Sequence, residues 1–288
     1  MNFFATATLP VFFMFYFASK SAFSQQNSSP AELNRQMLSA IETVNALTFT
    51  LKMWERFGTK TIYSVSEIRM MLSPFKVYIR NTEGNNIGVE VLWVAGENGG
   101  DALVNPAGFP YLNLDIDPEG SLVRRNVHHT LFDLGFDYFG KIIRTAAAKL
   151  GNEYYDNLFI IGDTVFGGRK CAILEFDYTG FKYISYRTGR DETLRSVSEK
   201  FLLNDYRLME LNPNIDGFNI IEEGKAITIP NLYCKKMIMF VDRENFLPVV
   251  QIIYDDAGMY EKYEFHELKI NVSFGSREFT EDFEEYGF

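Results

Sequence analysis

Residues 191–230, DETLRSVSEKFLLNDYRLMELNPNIDGFNIIEEGKAITIP, read as two short helices closed by a strand, in a chain that otherwise reads as β-sheet. Leu194, Val197 and Phe201 fall on one helical face. Asp191 or Thr193 can cap that helix, because their side-chain oxygens reach its free N–H groups. Asn204 or Asp205 can cap a second helix, whose Leu208 and Leu211 turn inward. Pro213 ends it by pushing the preceding residue out of the helical region. A Gly224 turn then leads into a short strand with Ile227 and Ile229 alternating inward, and FKYISYR (181–187) supplies a partner strand. A βααβ unit of about 50 residues is small for independent stability, so it gains from having both ends anchored in a host sheet.

The host is legible outward from this insert. AELNRQMLSAIETVNAL (31–47) places Leu33, Met37, Ile41, Val44 and Leu47 on one helical stripe. Strand patterns follow at 47–57, 60–72, 75–82 and 88–96, broken by Gly58 and Pro74. HHTLFDLGFDYFGKIIRTAAAKLG (128–151) is a second helical region, with Phe136, Phe139, Ile142, Ile143 and Ala146 as its apolar face and Gly151 as its C-cap. Strands resume at 158–166, 169–186 and 235–274, with turns at DREN and DDAG. The acidic, aromatic tail SREFTEDFEEYGF (276–288) reads as a last edge segment. This is an α+β chain built as an antiparallel meander, not a βαβ array. In 47–57 the apolar residues Phe49, Leu51 and Met53 alternate with Trp54 on the opposite face. Such two-sided strands imply a sheet that curves around a filler, either its own helices or an apolar ligand.

Composition limits the function. A net charge of −10 without a Lys/Arg-rich run excludes a nucleic-acid partner, which needs a concentrated basic face. The first residues carry an apolar stretch of signal-peptide length, and Ala22 and Ser24 satisfy the small-x-small rule for cleavage before Gln25. Residues 1–24 are therefore expected to be a signal peptide of an exported chain; the alternative is an uncleaved N-terminal anchor.

Catalytic and metal-binding patterns are sparse. His128 and His129 are adjacent and diverge on either a strand or a helix, which disfavours chelation of one ion. Capping or hydrogen bonding at the mouth of the following helix is their expected role, and no metal or cofactor is expected. The chain has no G-x-S-x-G, P-loop or G-x-G-x-x-G sequence. Cys171 and Cys234 lie in apolar strand patterns. A hairpin that places Tyr178 near Cys234 puts Cys171 opposite Val241, so two separate thiols are expected, inert in the core. Carboxylates are plentiful, but nothing in the sequence sets two of them across a cleft as a glycosidase requires.

The insert resembles a LysM module. The matching residues are Tyr186, TLRSVS at 193–198, LNPNI at 211–215, Gly224 and ITIP at 227–230; the departure is RDE at 190–192, where the usual turn has Gly-Asp. The resemblance implies a shallow groove for N-acetylglucosamine-containing glycan, formed by Asp191, Glu192, Thr193 and Leu194 on one loop and Asn212, Pro213, Asn214 and Ile215 on the other. The remainder is similar to exported bacterial proteins related to the outer-membrane lipoprotein carriers (LolA/LolB-like). That similarity rests on the first helix leading into ERF (55–57), on VLWVAG (91–96), on HHT and GF (128–130 and 135–136), and on the embedded module. It implies an open antiparallel half-barrel wrapped over helices, in two parts at 25–182 and 233–288, with the LysM-like module at 183–232 inserted between two adjacent strands. The function so implied is a non-catalytic protein of the periplasm or cell envelope. Its barrel would hold a lipid or acylated partner and its module would touch peptidoglycan. The alternatives are an interaction protein with a filled barrel core and a degenerate module, and a wall-glycan hydrolase.

Overall fold

A computed structural model of the chain describes residues 28–109, 111–124 and 127–288. The expected leader and its cleavage point before Gln25 lie outside the described residues. The elements are α1 (Pro30–Glu42), β1 (Ala46–Phe57), β2 (Lys60–Leu72), β3 (Phe75–Glu83), β4 (Glu90–Val94), β5 (Ala102–Asn105), β6 (Leu114–Ile116), α2 (Ser121–Arg124), α3 (Asp137–Leu150), α4 (Asn152–Asp156), β7 (Leu158–Phe166) and β8 (Arg169–Asp177). They continue with β9 (Tyr183–Arg187), α5 (Leu194–Phe201), α6 (Asp205–Leu211), β10 (Ala226–Pro230), β11 (Lys236–Asp242), β12 (Pro248–Asp255) and β13 (Gly258–Ile270).

The fold is mixed α+β, dominated by one antiparallel sheet of 11 strands in the order β6-β5-β4-β3-β2-β1-β13-β12-β11-β8-β7. The chain starts at the centre and works outward from β1 to β6. It then crosses through the helices to the far edge at β7 and returns inward until β13 pairs with β1. Apolar residues from near both ends of this order, Val77 on β3 and Leu158 on β7, belong to one core cluster with α1 and α3. A flat sheet cannot bring such distant strands to the same helices, so the sheet curls around them.

Local chemistry fixes the helices that fill the curl. Ser29 caps α1 by accepting from the Glu32 N–H at 3.2 Å, Pro30 occupies the first turn, and Leu33, Met37 and Ile41 form the buried stripe. On α3 the predicted face of Phe139, Ile142, Ile143 and Ala146 is buried, and Gly151 ends the helix at φ 59°, a conformation that favours glycine. Phe136 is buried just before α3; residues 128–130 form loop rather than helix. Together these side chains occupy the helix-bearing side of the sheet.

The expected hairpin around the insert forms with its register moved by one residue. Cys171 faces Asp242, while Ala172 faces Val241. Both cysteines are buried free thiols, and burial pushes their pKa values up. The continuous strand expected at 169–186 divides into β8 and β9 at a turn. The tail forms no edge strand: residues 271–288 are a series of turns, and their aromatic rings pack on the side chains of β2–β5 that face away from the helices.

Candidate functional site

β9 and β10 pair antiparallel, Tyr186 opposite Ile227, to form a separate 2-stranded sheet, and α5 and α6 lie between them in the chain. Its own small core contains Leu194, Val197, Leu203, Leu208, Ile221, Ile227 and Ile229. The unit sits between β8 and β11, which are neighbours in the large sheet. Thr193 caps α5 by accepting from the Ser196 N–H at 3.0 Å, and Asn204 caps α6 by accepting from the Arg207 N–H at 2.9 Å.

The closed corner of this helical hairpin is fastened to the large sheet by a buried polar joint. Its centre is Glu261 of β13, which is fully buried. The Glu261 carboxylate accepts from His128 Nδ1 at 2.9 Å, from Asn204 Nδ2 at 3.1 Å and from the Tyr233 hydroxyl at 3.0 Å, and His129 Nε2 lies 3.3 Å away. His128 Nε2 donates to the Arg56 carbonyl at 3.0 Å, so both ring nitrogens meet acceptors. The imidazole is stacked between Tyr260 of β13 and Tyr206 of α6, with centroids 4.4 and 5.1 Å away. Asn204 therefore caps α6 with its oxygen and ties the joint together with its nitrogen.

Electrostatics explain how a carboxylate tolerates this burial. Desolvation alone would raise the Glu261 pKa, but the His129 charge and the hydrogen bonds from both histidines hold it down at about 2. Desolvation would likewise lower the His129 pKa, and the Glu261 charge with the Asp133 hydrogen bond instead lifts it well above the ordinary histidine range. Around this centre, Arg124 binds Asp205 with Nε at 3.0 Å, and Arg207 reaches Asp255 at 2.9 Å. Glu210 accepts the Gly58 N–H at 2.9 Å, joining α6 to the β1–β2 turn. Among the described residues, no group of three or more His, Cys, Asp or Glu is placed to hold a metal ion.

The candidate glycan residues lie at the opposite end of the helical pair, where α5 begins and α6 ends. The structure divides them by use. Asn212 donates to the Leu208 and Thr228 carbonyls and accepts from the Thr228 N–H, each at 2.8 Å, stitching α6 to β10. Glu192 accepts from the Gly189 N–H at 2.7 Å, from the Tyr186 hydroxyl at 2.9 Å and from Lys200 at 2.8 Å. Leu194 belongs to the small core, Ile215 packs against it and Thr193 is the α5 cap. Asp191, Pro213 and Asn214 are exposed. Asp191 adopts φ 58°, a left-handed conformation that favours glycine and that aspartate tolerates. The Ile221 N–H donates to the Glu192 carbonyl at 2.8 Å, so the two loop systems are joined by backbone.

Sequence reasoning missed Glu261 and its partners, although it singled out the histidines. A signal was present: Glu261 occupies the same alternation as buried Tyr263 and Phe265, which puts a charge on the core face of a strand.

No curated protein matches the chain. Similar solved structures include MucB, at 12% identity and a TM-score of 0.43, covering 87% of this chain and 62% of MucB, so the chain spans less than two thirds of that protein. The Mycobacterium tuberculosis lipoprotein LppX is similar at 13% identity and a TM-score of 0.39, covering 85% of this chain and 99% of LppX. A LolA superfamily protein from Nitrosomonas europaea is similar at 8% identity and a TM-score of 0.33, covering 88% and 99% of the two chains. Residues 44–186 match the family described as protein of unknown function DUF1571, a match that runs from the end of α1 into β9 and stops before α5.

Proposed function

We propose that this chain is a non-catalytic, exported cell-envelope protein whose LysM-like module binds N-acetylglucosamine-containing wall glycan, with the curled sheet and its helices as a rigid base. The observation that carries this reading is the orientation of the helical hairpin. Its closed corner is buried against Glu261, while its open end exposes Asp191, Pro213 and Asn214 together with loop backbone. A glycan's N-acetyl groups need backbone donors and acceptors beside a small apolar floor, and the two loops that carry these exposed residues are where we expect them to be met. The sheet curl suits a half-barrel that holds a lipid or acylated partner. Here α1 and α3 pack their apolar side chains on that side, so such cargo would compete with them for the same surface.

The test is cosedimentation of the full chain with purified peptidoglycan. The chain is expected to pellet, to be released by soluble N-acetylglucosamine oligomers, and to lose most of its pelleting in the Asp191→Ala/Asn214→Ala variant. Failure of the full chain to pellet would leave the module as a spacer and remove the glycan from its function.

A further inference from the structure

The face of the sheet turned away from the helices is covered by the chain's own C-terminal segment. Residues 271–288 contribute no strand to the sheet, and their internal backbone bonds are short turns such as Thr280 N–H to Arg277 and Phe283 N–H to Thr280. The segment is held by rings and charges. Phe279 is buried in a cluster with Tyr78, Leu92 and Val94, against which Phe274, Tyr286 and Phe288 pack. The Tyr286 ring stacks on Tyr78 with centroids 3.6 Å apart. Arg69 pairs with Glu278 at 3.5 Å and with Glu285, and its guanidinium lies 5.5 Å from the Phe283 ring.

One residue of the segment is held at both its backbone polar groups. The Gly287 N–H donates to Glu90 at 2.6 Å, and the Gly287 carbonyl accepts from Asn105 Nδ2 at 2.7 Å. A Cβ at this position would lie 3.1 Å from Asn105 Nδ2, so the grip suits glycine. Side chains that satisfy both polar groups of one extended residue, beside two aromatic slots, are the elements of a peptide-recognition surface. The segment carries Glu278, Glu281, Asp282, Glu284 and Glu285 against one cation, Arg277, and the face beneath it sets Arg69, Lys76 and Arg80 beside the carboxylates Glu67 and Glu90.

The segment leaves the surface incompletely used. Tyr78 is only 4% exposed, and among the described residues its buried hydroxyl has no hydrogen-bond partner. Beside Tyr78 and Tyr286 a depression of about 910 Å³ remains open, lined by the cations Arg69, Arg80 and Lys269 and the carboxylates Glu67, Glu267 and Glu285. A buried donor left unpaired is destabilising, and an occupant with an acceptor at this point removes that cost.

We infer that the outer face of β2–β5 is a docking site for an acidic segment of a partner protein bearing two aromatic anchors, and that the C-terminal segment is its resident, exchangeable occupant. An anchor fills the Phe279 position and another the Tyr286 position, with a glycine after the second to meet Glu90 and Asn105. Tethering gives the resident segment an effective concentration of order millimolar, so it shields the site from weak competitors.

The experiment uses the full chain with a protease recognition sequence inserted between Val272 and Ser273, cut after folding. The probe is a fluorescein-labelled synthetic peptide of residues 273–288. The expected result is saturable exchange of the probe for the cut segment. Binding should weaken at least tenfold for a Phe279→Ala/Tyr286→Ala peptide and at least tenfold for the Arg69→Glu protein. Absence of probe binding to a cut protein that keeps its melting transition overturns the inference, as does loss of that transition on cutting, which makes the segment part of the core. A second arm needs no cut. The full-length Glu285→Lys variant, whose resident segment is weakened against Arg69, should take up more probe than the native chain. Equal uptake overturns the inference.

Discussion

The helices α1 and α3 and the helical module are fastened to the same sheet by opposite means. The first two press Leu33, Met37, Ile41, Phe139, Ile142 and Ile143 into an apolar cluster. Each such side chain is stabilising by about 1.5–3 kcal/mol through burial, with little dependence on direction. The module meets the sheet through Glu261, His128, His129, Asn204 and Tyr233, whose hydrogen bonds exist in one arrangement only. Apolar packing tolerates small slides and repacking. A buried carboxylate with its full set of donors does not, because every displaced donor leaves a charge without compensation. The module is therefore held in a fixed orientation by hydrogen-bond geometry more than by buried area.

Replacing Glu261 by alanine sharpens this contrast most. It removes the common acceptor of the joint and is expected to destabilise the protein by about 4 kcal/mol in urea unfolding, the range for breaking a buried pair from one side. It should also open the turn between β8 and β9 at Gly180 and Lys182 to proteolysis. Met37→Ala in the apolar cluster is expected to cost about 3 kcal/mol without exposing that turn. If both variants expose it equally, the two attachments are one cooperative unit and the distinction fails.

The two attachments also differed in how far the sequence displayed them. The apolar one repeats along the chain: Leu33, Met37 and Ile41 recur at helical spacing, and Phe49 and Leu51 alternate on β1, so a local window suffices. The joint does not repeat. Glu261 is 133 residues from His128 and 57 from Asn204, and no window contains them together. The LysM resemblance marked positions in the two loops but not their use. Asn212 and Glu192 turn out to serve the module's own hydrogen bonds, and sequence spacing does not reveal which atoms a fold has already occupied. The C-terminal segment was misread for a related reason. Phe279, Phe283 and Tyr286 are spaced by four and three, which is not strand alternation, and only the sheet beneath them explains the pattern.

Acidity tests the joint without mutation. Glu261 has its pKa lowered from 4.5 to about 2, so its contribution is complete above pH 4.5 and disappears as pH falls toward 2, a loss of about 3 kcal/mol. His129 has its pKa raised above 6.5, so its contribution is complete below pH 6.5 and declines as pH rises through the raised value. The groups facing this centre are Asp133 beside His129, Tyr138, Tyr233, Tyr260 and Tyr263 around the carboxylate, and Glu55 on β1; burial pushes the tyrosines well above the ordinary phenol range, so they stay neutral across this window. Joint stability should therefore be greatest between pH 4.5 and 6.5. The Met37→Ala penalty should stay constant across this range, whereas the Glu261→Ala penalty should shrink on the acid side. Parallel pH profiles for the two variants would place the titrating charge elsewhere.

The smallest expected effect separates the two ends of the helical hairpin. Asn212→Ala removes three hydrogen bonds, two to β10 and one back to Leu208 of α6, and is expected to cost about 2 kcal/mol, because two backbone carbonyls and an N–H lose their partner. Asn214→Ala changes an exposed loop side chain and should alter stability by less than about 0.5 kcal/mol, whereas Asp191→Ala, at a left-handed position, should cost about 1 kcal/mol. Their main effect belongs to glycan pelleting, which the double variant should weaken far more than its small shift in unfolding explains. Asn212→Ala should weaken both together. A loss of pelleting in Asn212→Ala alone, with the loop double variant binding normally, would move recognition from the exposed side chains to the backbone that Asn212 positions, and would turn the open end of the hairpin from a set of sugar-facing side chains into a frame for main-chain contacts.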